Sequence, residues 1–279
     1  MSQKAIGLML ASTICFALMN SLLRWVNYLP TFELVFFRAA GSLIFCFWYL
    51  FANRVSYRGN QPGLLVLRGL VGVTSMALYF WSLEMIPVGT AISLRYLSPF
   101  FALILAVLFL KEKMKKIQWL FLVLAFVGVA LVKGFDNRIS QFALLVILGS
   151  AFFSGLVYFV IRKIGTRDHT VLVVTYFMII SLIVGGVGCL FDWQTPNGYE
   201  WAALLGLGVL GFYAQVFMTQ AIQIEEANKI VPFKYAEVVF TMLAGWILFS
   251  EGQTWITLGG ISLIVLALIS NSLVAQKRA

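Results

Sequence analysis

From Ala5 to Val274 the chain is a succession of long apolar runs parted by short polar segments. A helical run of about 20 apolar residues matches the thickness of a bilayer core. Lipid offers no partner for an unpaired N–H or C=O, so each run must close its hydrogen bonds within itself as helix. A membrane β-barrel would show short segments of alternating polarity instead. Ten helices are expected, at 5–26, 32–52, 64–85, 88–110, 117–134, 140–162, 171–191, 199–221, 227–249 and 254–274. With 61% hydrophobic and only 11% charged residues, no large soluble domain fits beside them. The run ending at Trp25 is too long for a signal-peptide core and is expected to remain as the first span.

The net charge of +9 would suggest nucleic acid in a soluble protein, but here it reads as topology, and no nucleic-acid partner is expected. Thirteen cations fall in one set of loops: Lys4, Arg54, Arg58, Lys111, Lys113, Lys115, Lys116, Arg162, Lys163, Arg167, Lys229, Lys277 and Arg278. The opposite loops hold two, Lys133 and Arg138. That asymmetry places both termini in the cytoplasm and the chain in the plasma membrane, or the inner membrane of a Gram-negative cell. Trp25, Trp48, Trp119, Trp193, Trp201 and Trp255 stand near span ends, as interfacial anchors do. Cys15, Cys46 and Cys189 stand at unrelated positions, so neither a disulfide nor a metal site is expected. His169, the single histidine, lies in a basic loop and reads as solvated, like Glu33 and Glu84 at the opposite span ends.

One stretch occurs twice. Arg95, Tyr96, Phe101 and Glu112 recur 139 residues later as Lys234, Tyr235, Phe240 and Glu251. An offset of 138 sets Ser12 on Ser150 and Arg24 on Arg162. The reading is an all-α integral membrane protein of two five-helix repeats, 1–136 and 137–279. An odd number of spans per copy turns the copies upside down relative to each other, and inverted repeats recur in transporters with a site near the midplane.

The chain also resembles the EamA-type family of the drug/metabolite transporter superfamily. The residues that carry the likeness are Phe36-Phe37-Arg38-Ala39, Leu67-Arg68-Gly69, Tyr79-Phe80-Trp81-Ser82-Leu83, Pro87-Val88-Gly89-Thr90-Ala91, Ser98-Pro99-Phe100, Glu112-Lys113 and Gly128-Val129-Ala130-Leu131-Val132. The resemblance spans essentially the whole chain. It implies a ten-helix carrier that moves small organic metabolites by alternating access, usually outward. The second half departs from this pattern, with Glu237 and Val238 where Ser98 and Pro99 stand.

Charges inside spans single out the site. A charge near the bilayer centre costs about 2.5–3.5 kcal/mol on insertion scales, so it faces a protein interior or a watery cavity. Arg38 and Arg95 lie about 10 Å below one face of the core, and Lys234 about 10 Å from the other, at 1.5 Å per residue. Glu237 lies three residues deeper than Lys234. The expected substrate contacts are Arg38, Arg95, Lys234 and Glu237, with Tyr96, Tyr235, Tyr79, Tyr158 and Asn20. Each has a structural alternative. The cations can pair with carboxylates or carbonyls, Lys234 and Glu237 can neutralise each other at i,i+3, and Asn20 and Gln215 can simply bridge helices. Arg24 and Arg68 read as snorkelling to the interface. Glu237 is the one group placed to carry a proton during transport.

Gly69-Leu70-Val71-Gly72, Gly185-Gly186-Val187-Gly188 and Gly206-Leu207-Gly208 permit close helix approach. None is followed by the Lys-Ser/Thr of a phosphate loop, so a gradient or exchange would drive transport, with no cofactor. The expected function is secondary-active movement of a carboxylate-bearing or zwitterionic metabolite, such as an amino acid, organic acid or S-adenosylmethionine-like solute. Riboflavin and lipophilic cations are the alternative substrates. A channel and a membrane transferase are the alternative classes. The expected partners are a small-molecule substrate and the lipid bilayer, and a homodimer is left open.

Overall fold

The computed structural model describes residues 2–26, 28–110, 115–135, 139–225, 230, 233–234, 236–249 and 255–276. These residues are all-helical, with no strand among them. The helices are α1 (Gln3–Trp25), α2 (Thr31–Ala52), α3 (Pro62–Leu83), α4 (Val88–Arg95), α5 (Ser98–Leu110) and α6 (Lys116–Phe135) in the first half. The second half has α7 (Gln141–Ile164), α8 (Thr170–Cys189), α9 (Glu200–Ile224), α10 (Ala236–Phe249) and α11 (Trp255–Gln276). Six of them, the last of α7's turns included, are long and apolar enough to cross a membrane: 3–25, 31–52, 62–83, 141–167, 170–189 and 200–224.

Local chemistry sets the ends. Ser140 caps α7 by accepting the Ala143 N–H at 3.1 Å. Pro62 opens α3, where a missing N–H costs nothing. Gly165, at φ +57°, ends α7 in a conformation that other residues rarely adopt.

Eight helices run within three residues of the expected bounds. Two do not. The helix expected at 88–110 is broken at Tyr96 and Leu97 into α4 and α5. The Leu97 N–H turns back to Leu94 O at 3.1 Å, and Leu97 O starts the next helix by accepting from Phe101 at 3.2 Å. Pro99 has no N–H to give to Arg95 O, so the helical ladder cannot run through this point. The helix expected at 227–249 is likewise interrupted among the described residues: Ile230 is helical, residues 233–234 form a 3-10 step, and α10 starts at Ala236. Glu33 is also corrected. It is fully buried rather than solvated, because the chain after α8 folds over the start of α2 and Gln194 donates its N–H to the carboxylate at 3.0 Å.

The helices pack in crossed pairs. α1 lies on α9, α3 on α7, α2 on both α8 and α9, and α6 on α11. Serines weld the first two pairs. Ser12 donates to Ala214 O at 2.8 Å, while Ser75 and Ser150 donate to each other's carbonyls at 2.9 and 2.8 Å. Each such bond is worth about 0.5–1.5 kcal/mol. α2 and α9 cross at Gly41 and Gly208, where a Cβ on either would stand within 2.8 Å of the other's Cα. The glycine pattern therefore serves close approach inside one chain.

Candidate functional site

The broken helices explain how charges sit this deep. Arg95 is the last residue of α4, and Glu237 is in the first turn of α10. A cation at a helix C-terminus and an anion at an N-terminus each gain about 0.3–1 kcal/mol from the helix dipole, and more when partly buried. An unbroken helix would offer neither.

Side chains from both halves meet around one cavity. α3 supplies one wall. Arg68, Gly72, Ser75, Met76 and Tyr79 recur at helical spacing, so they share one face, and all line the cavity. Arg38 comes from α2, Arg95 from α4, Tyr158 from α7, Phe177 from α8 and Gln215 from α9. Lys234 reaches in from the 3-10 step before α10. An adjoining space shares Arg95, Ser154, Tyr158 and Lys234 with it and adds Tyr96, Ser98 and Glu237.

The hydrogen bonds form two short chains beside the cavity. Tyr79 donates from its hydroxyl to Asn20 Oδ1 at 3.1 Å, and Asn20 Nδ2 donates to Glu237 Oε1 at 3.1 Å. Lys234 Nζ donates to the Tyr158 hydroxyl at 3.0 Å, and the Tyr96 hydroxyl donates to Lys234 O at 3.2 Å. Lys234 and Glu237 thus turn to different partners, although the lysine's charge still acts on the carboxylate. The cations lean on aromatic faces: Arg95 on Tyr79 at 4.3 Å, Lys234 on Phe16 at 4.6 Å and Arg68 on Phe177 at 4.4 Å. Such contacts stabilise a cation without supplying it a counter-charge.

Of the residues expected at the site, Arg38, Arg95, Lys234, Tyr79 and Tyr158 line the cavity, and Tyr96 and Glu237 line its extension. Asn20 is buried at 2% exposure and joins Tyr79 to Glu237 from behind. Tyr235 lies outside the described residues.

Arg68 is a correction. It does not snorkel to an interface but is 1% exposed, with Nη2 donating to Gln215 Oε1 at 3.0 Å. Its backbone is only two turns into α3, yet the face it shares with Gly72 and Tyr79 turns it inward. Phe177 joins it as a cavity residue that the sequence reading did not single out, and Gln215, read there as a helix bridge, lines the cavity as well. The usable signal was the polar and small stripe at 68, 72, 75 and 79.

Two segments of the chain, 3–134 and 141–273, match the EamA-like transporter family. The pseudopaline exporter of Pseudomonas aeruginosa is 32% identical over 275 residues, covering 95% of each chain. The riboflavin transporter of Vibrio cholerae is 29% identical over 93% of this chain and 89% of its own. The S-adenosylmethionine uptake transporter of Rickettsia felis is 28% identical over 85% and 81%. A crystal structure of a protein 16% identical aligns with a TM-score of 0.75 over 100% of this chain and 98% of that one, a likeness of fold alone.

Proposed function

The chain belongs to the EamA-like transporter family, and from that premise we propose that it is a secondary-active carrier of a small organic metabolite bearing a carboxylate or a zwitterion. It is an integral membrane protein, and the relatives it resembles are transporters rather than enzymes. The observation that carries the proposal is the buried cavity in which Arg38, Arg68, Arg95 and Lys234 converge among aromatic walls. An arginine fork suits a carboxylate, and four cations repel a lipophilic cation. Riboflavin stays as the second reading, favoured by the Vibrio relative and by ring faces such as Phe16, Tyr79 and Tyr158 on which a flavin can stack.

The proposed mechanism is alternating access by rocking of two inverted five-helix halves, 1–136 and 137–279, in export or exchange. The crossed packing supports it. Ser12 on Ala214 in one pair corresponds to Ser150 on Ser75 in the other, at the offsets of 138 and 139 that relate the two copies. The interruptions at 96–97 and before 236 fall at matching places in the two copies. On this reading ten helices span the plasma or inner membrane with both termini in the cytoplasm. Asn20, Arg38, Tyr79, Arg95, Tyr96, Tyr158, Lys234, Tyr235 and Glu237 contact the solute, and Glu237 exchanges a proton.

Counterflow in proteoliposomes tests this, with labelled amino acids, organic acids, S-adenosylmethionine and riboflavin outside and the same unlabelled solute inside. The expected result is saturable uptake stimulated by the internal solute, with Arg95→Ala slower by about tenfold or more, the loss of one charged hydrogen bond. Uptake of no solute overturns the carrier reading, and linear uptake insensitive to internal solute indicates a channel.

A further inference from the structure

Granted a solute site in this cavity, the charges that face it narrow the solute further. Four cations line the two connected spaces, and Glu237 is the one carboxylate among their described lining residues, which leaves an excess of three positive charges. Glu237 hydrogen-bonds Asn20 and lies within electrostatic reach of Arg95 and Lys234, so it offsets one charge at most and does so on the extension's side, away from the Arg38 and Arg68 lining. Arg38 lies within electrostatic reach of both Arg68 and Arg95, so the like charges are crowded rather than dispersed.

The protein does little to quench them. Arg38 and Arg68 are 2% and 1% exposed, yet Arg38 Nε and Arg68 Nε and Nη1 have no hydrogen-bond partner among the described residues. The partners they do have are neutral: the Met76 sulfur for Arg38, and the Gln215 amide and Phe177 ring for Arg68. Room is kept for both guanidinium groups by glycines. A Cβ on Gly72 would collide with Arg68 Nη1 and the Phe177 ring, and one on Gly211 would stand 3.0 Å from Arg38 Nε. Buried charged donors without acceptors are costly, and the cost is relieved when an anion arrives. A neutral solute or a zwitterion adds no net charge, and a single carboxylate leaves two of the three excess charges in place.

We propose that the transported solute carries at least two anionic groups, carboxylate or phosphate, one held by the Arg38 and Arg68 forks and the other between Arg95 and Lys234. The two seats are separate because Lys234 and Arg95 open onto the extension toward Glu237, which Arg38 and Arg68 do not line.

The experiment is calorimetric titration of the purified protein at neutral pH with matched pairs, the doubly charged member of each bearing two separate anionic groups: glutarate against its monomethyl ester, and fructose 1,6-bisphosphate against fructose 6-phosphate. The pairs also separate the two anion chemistries. At least one doubly charged member is expected to bind about tenfold or more tightly than its partner. Arg68→Gln should reduce that preference to near unity. Equal binding within both pairs, or no binding by either doubly charged member, overturns the proposal. The wild-type comparison decides even if the variant does not fold. Counterflow of a neutral or zwitterionic solute, with no binding of the doubly charged ones, would sink this inference and leave the carrier reading standing. Absence of any counterflow would sink that reading itself.

Discussion

Glu237 stands in the wall of the cavity's extension beside Arg95 and Lys234. Its Oε1 accepts from Asn20, while Oε2 has no hydrogen-bond partner among the described residues. Asn20 in turn accepts from Tyr79, over whose ring Arg95 lies. Two hydrogen bonds thus join Glu237 to the ring on which Arg95 rests. If Glu237 carries a proton, Glu237→Gln keeps an oxygen for Asn20 but removes the titrating site. The variant should retain exchange of solute for solute within about threefold of wild type, a change of under 1 kcal/mol. It should lose accumulation driven by an imposed pH gradient. Gradient-driven accumulation equal to wild type would show that Glu237 serves only to orient Asn20.

At the scale of elements, helix ends border the cavity's extension. α4 and α5 meet at a break beside the cavity, and α7 approaches the break through Gly155, where a Cβ would lie 2.7 Å from Ser98 O. α8 shows a different end. His169 caps it, with Nδ1 accepting the Val171 N–H at 3.2 Å and the ring lying 5.5 Å from that of Tyr49. Partial burial holds its pKa below the ordinary imidazole value of 6.5. The cap needs the neutral ring, because a protonated Nδ1 has no lone pair to offer. The unfolded chain then binds the proton more readily than the folded one, so this contribution to stability is present above pH 6.5 and is lost as pH falls through the lower folded value. Thermal unfolding in detergent between pH 7.5 and 5.5 should show a steeper loss for wild type than for His169→Asn, which keeps a capping oxygen without titrating. Parallel curves would remove His169 from the account.

Across the whole molecule, the two ends of the bundle are tied by different segments. At one end Asn60 and Gln61 donate to the backbone of Arg167 and Ile164, and Gln223 to that of Gly165 and Asp168. At the other end Glu33 holds Gln194, and Glu200 accepts from Tyr28 and Asn197. The cation-rich loops belong to the first end, so it should face the cytoplasm. In a background lacking Cys15, Cys46 and Cys189, a membrane-impermeant maleimide applied to intact cells should label Asn197→Cys and reach Ser56→Cys only after permeabilisation. The reverse pattern would invert the topology. α6 and α11 pack on each other through Gly128, where a Cβ would stand 2.8 Å from Gly260 O, so a homodimer would have to use another face.

What was legible in the residues follows from solvent. Apolar runs of membrane length force helices, and a charge inside such a run forces an inward face. On those grounds eight helices and the inward placement of Arg38, Arg95, Lys234 and Glu237 could be read without coordinates. Hydropathy has no term for a backbone that stops pairing, so the breaks at 96–97 and before 236 were hidden, although Pro99 was in plain view. Arg68 was misplaced for a related reason. Its depth along α3 permits a route to the interface, and only the packing of Gln215 from α9 and Phe177 from α8 against it shows which way it turns. The charge within each run is a property of the chain. Which charges share one cavity, and which of their donors stay unused, is a property of helix crossing, because residues far apart along the chain are brought into contact only when the bundle closes.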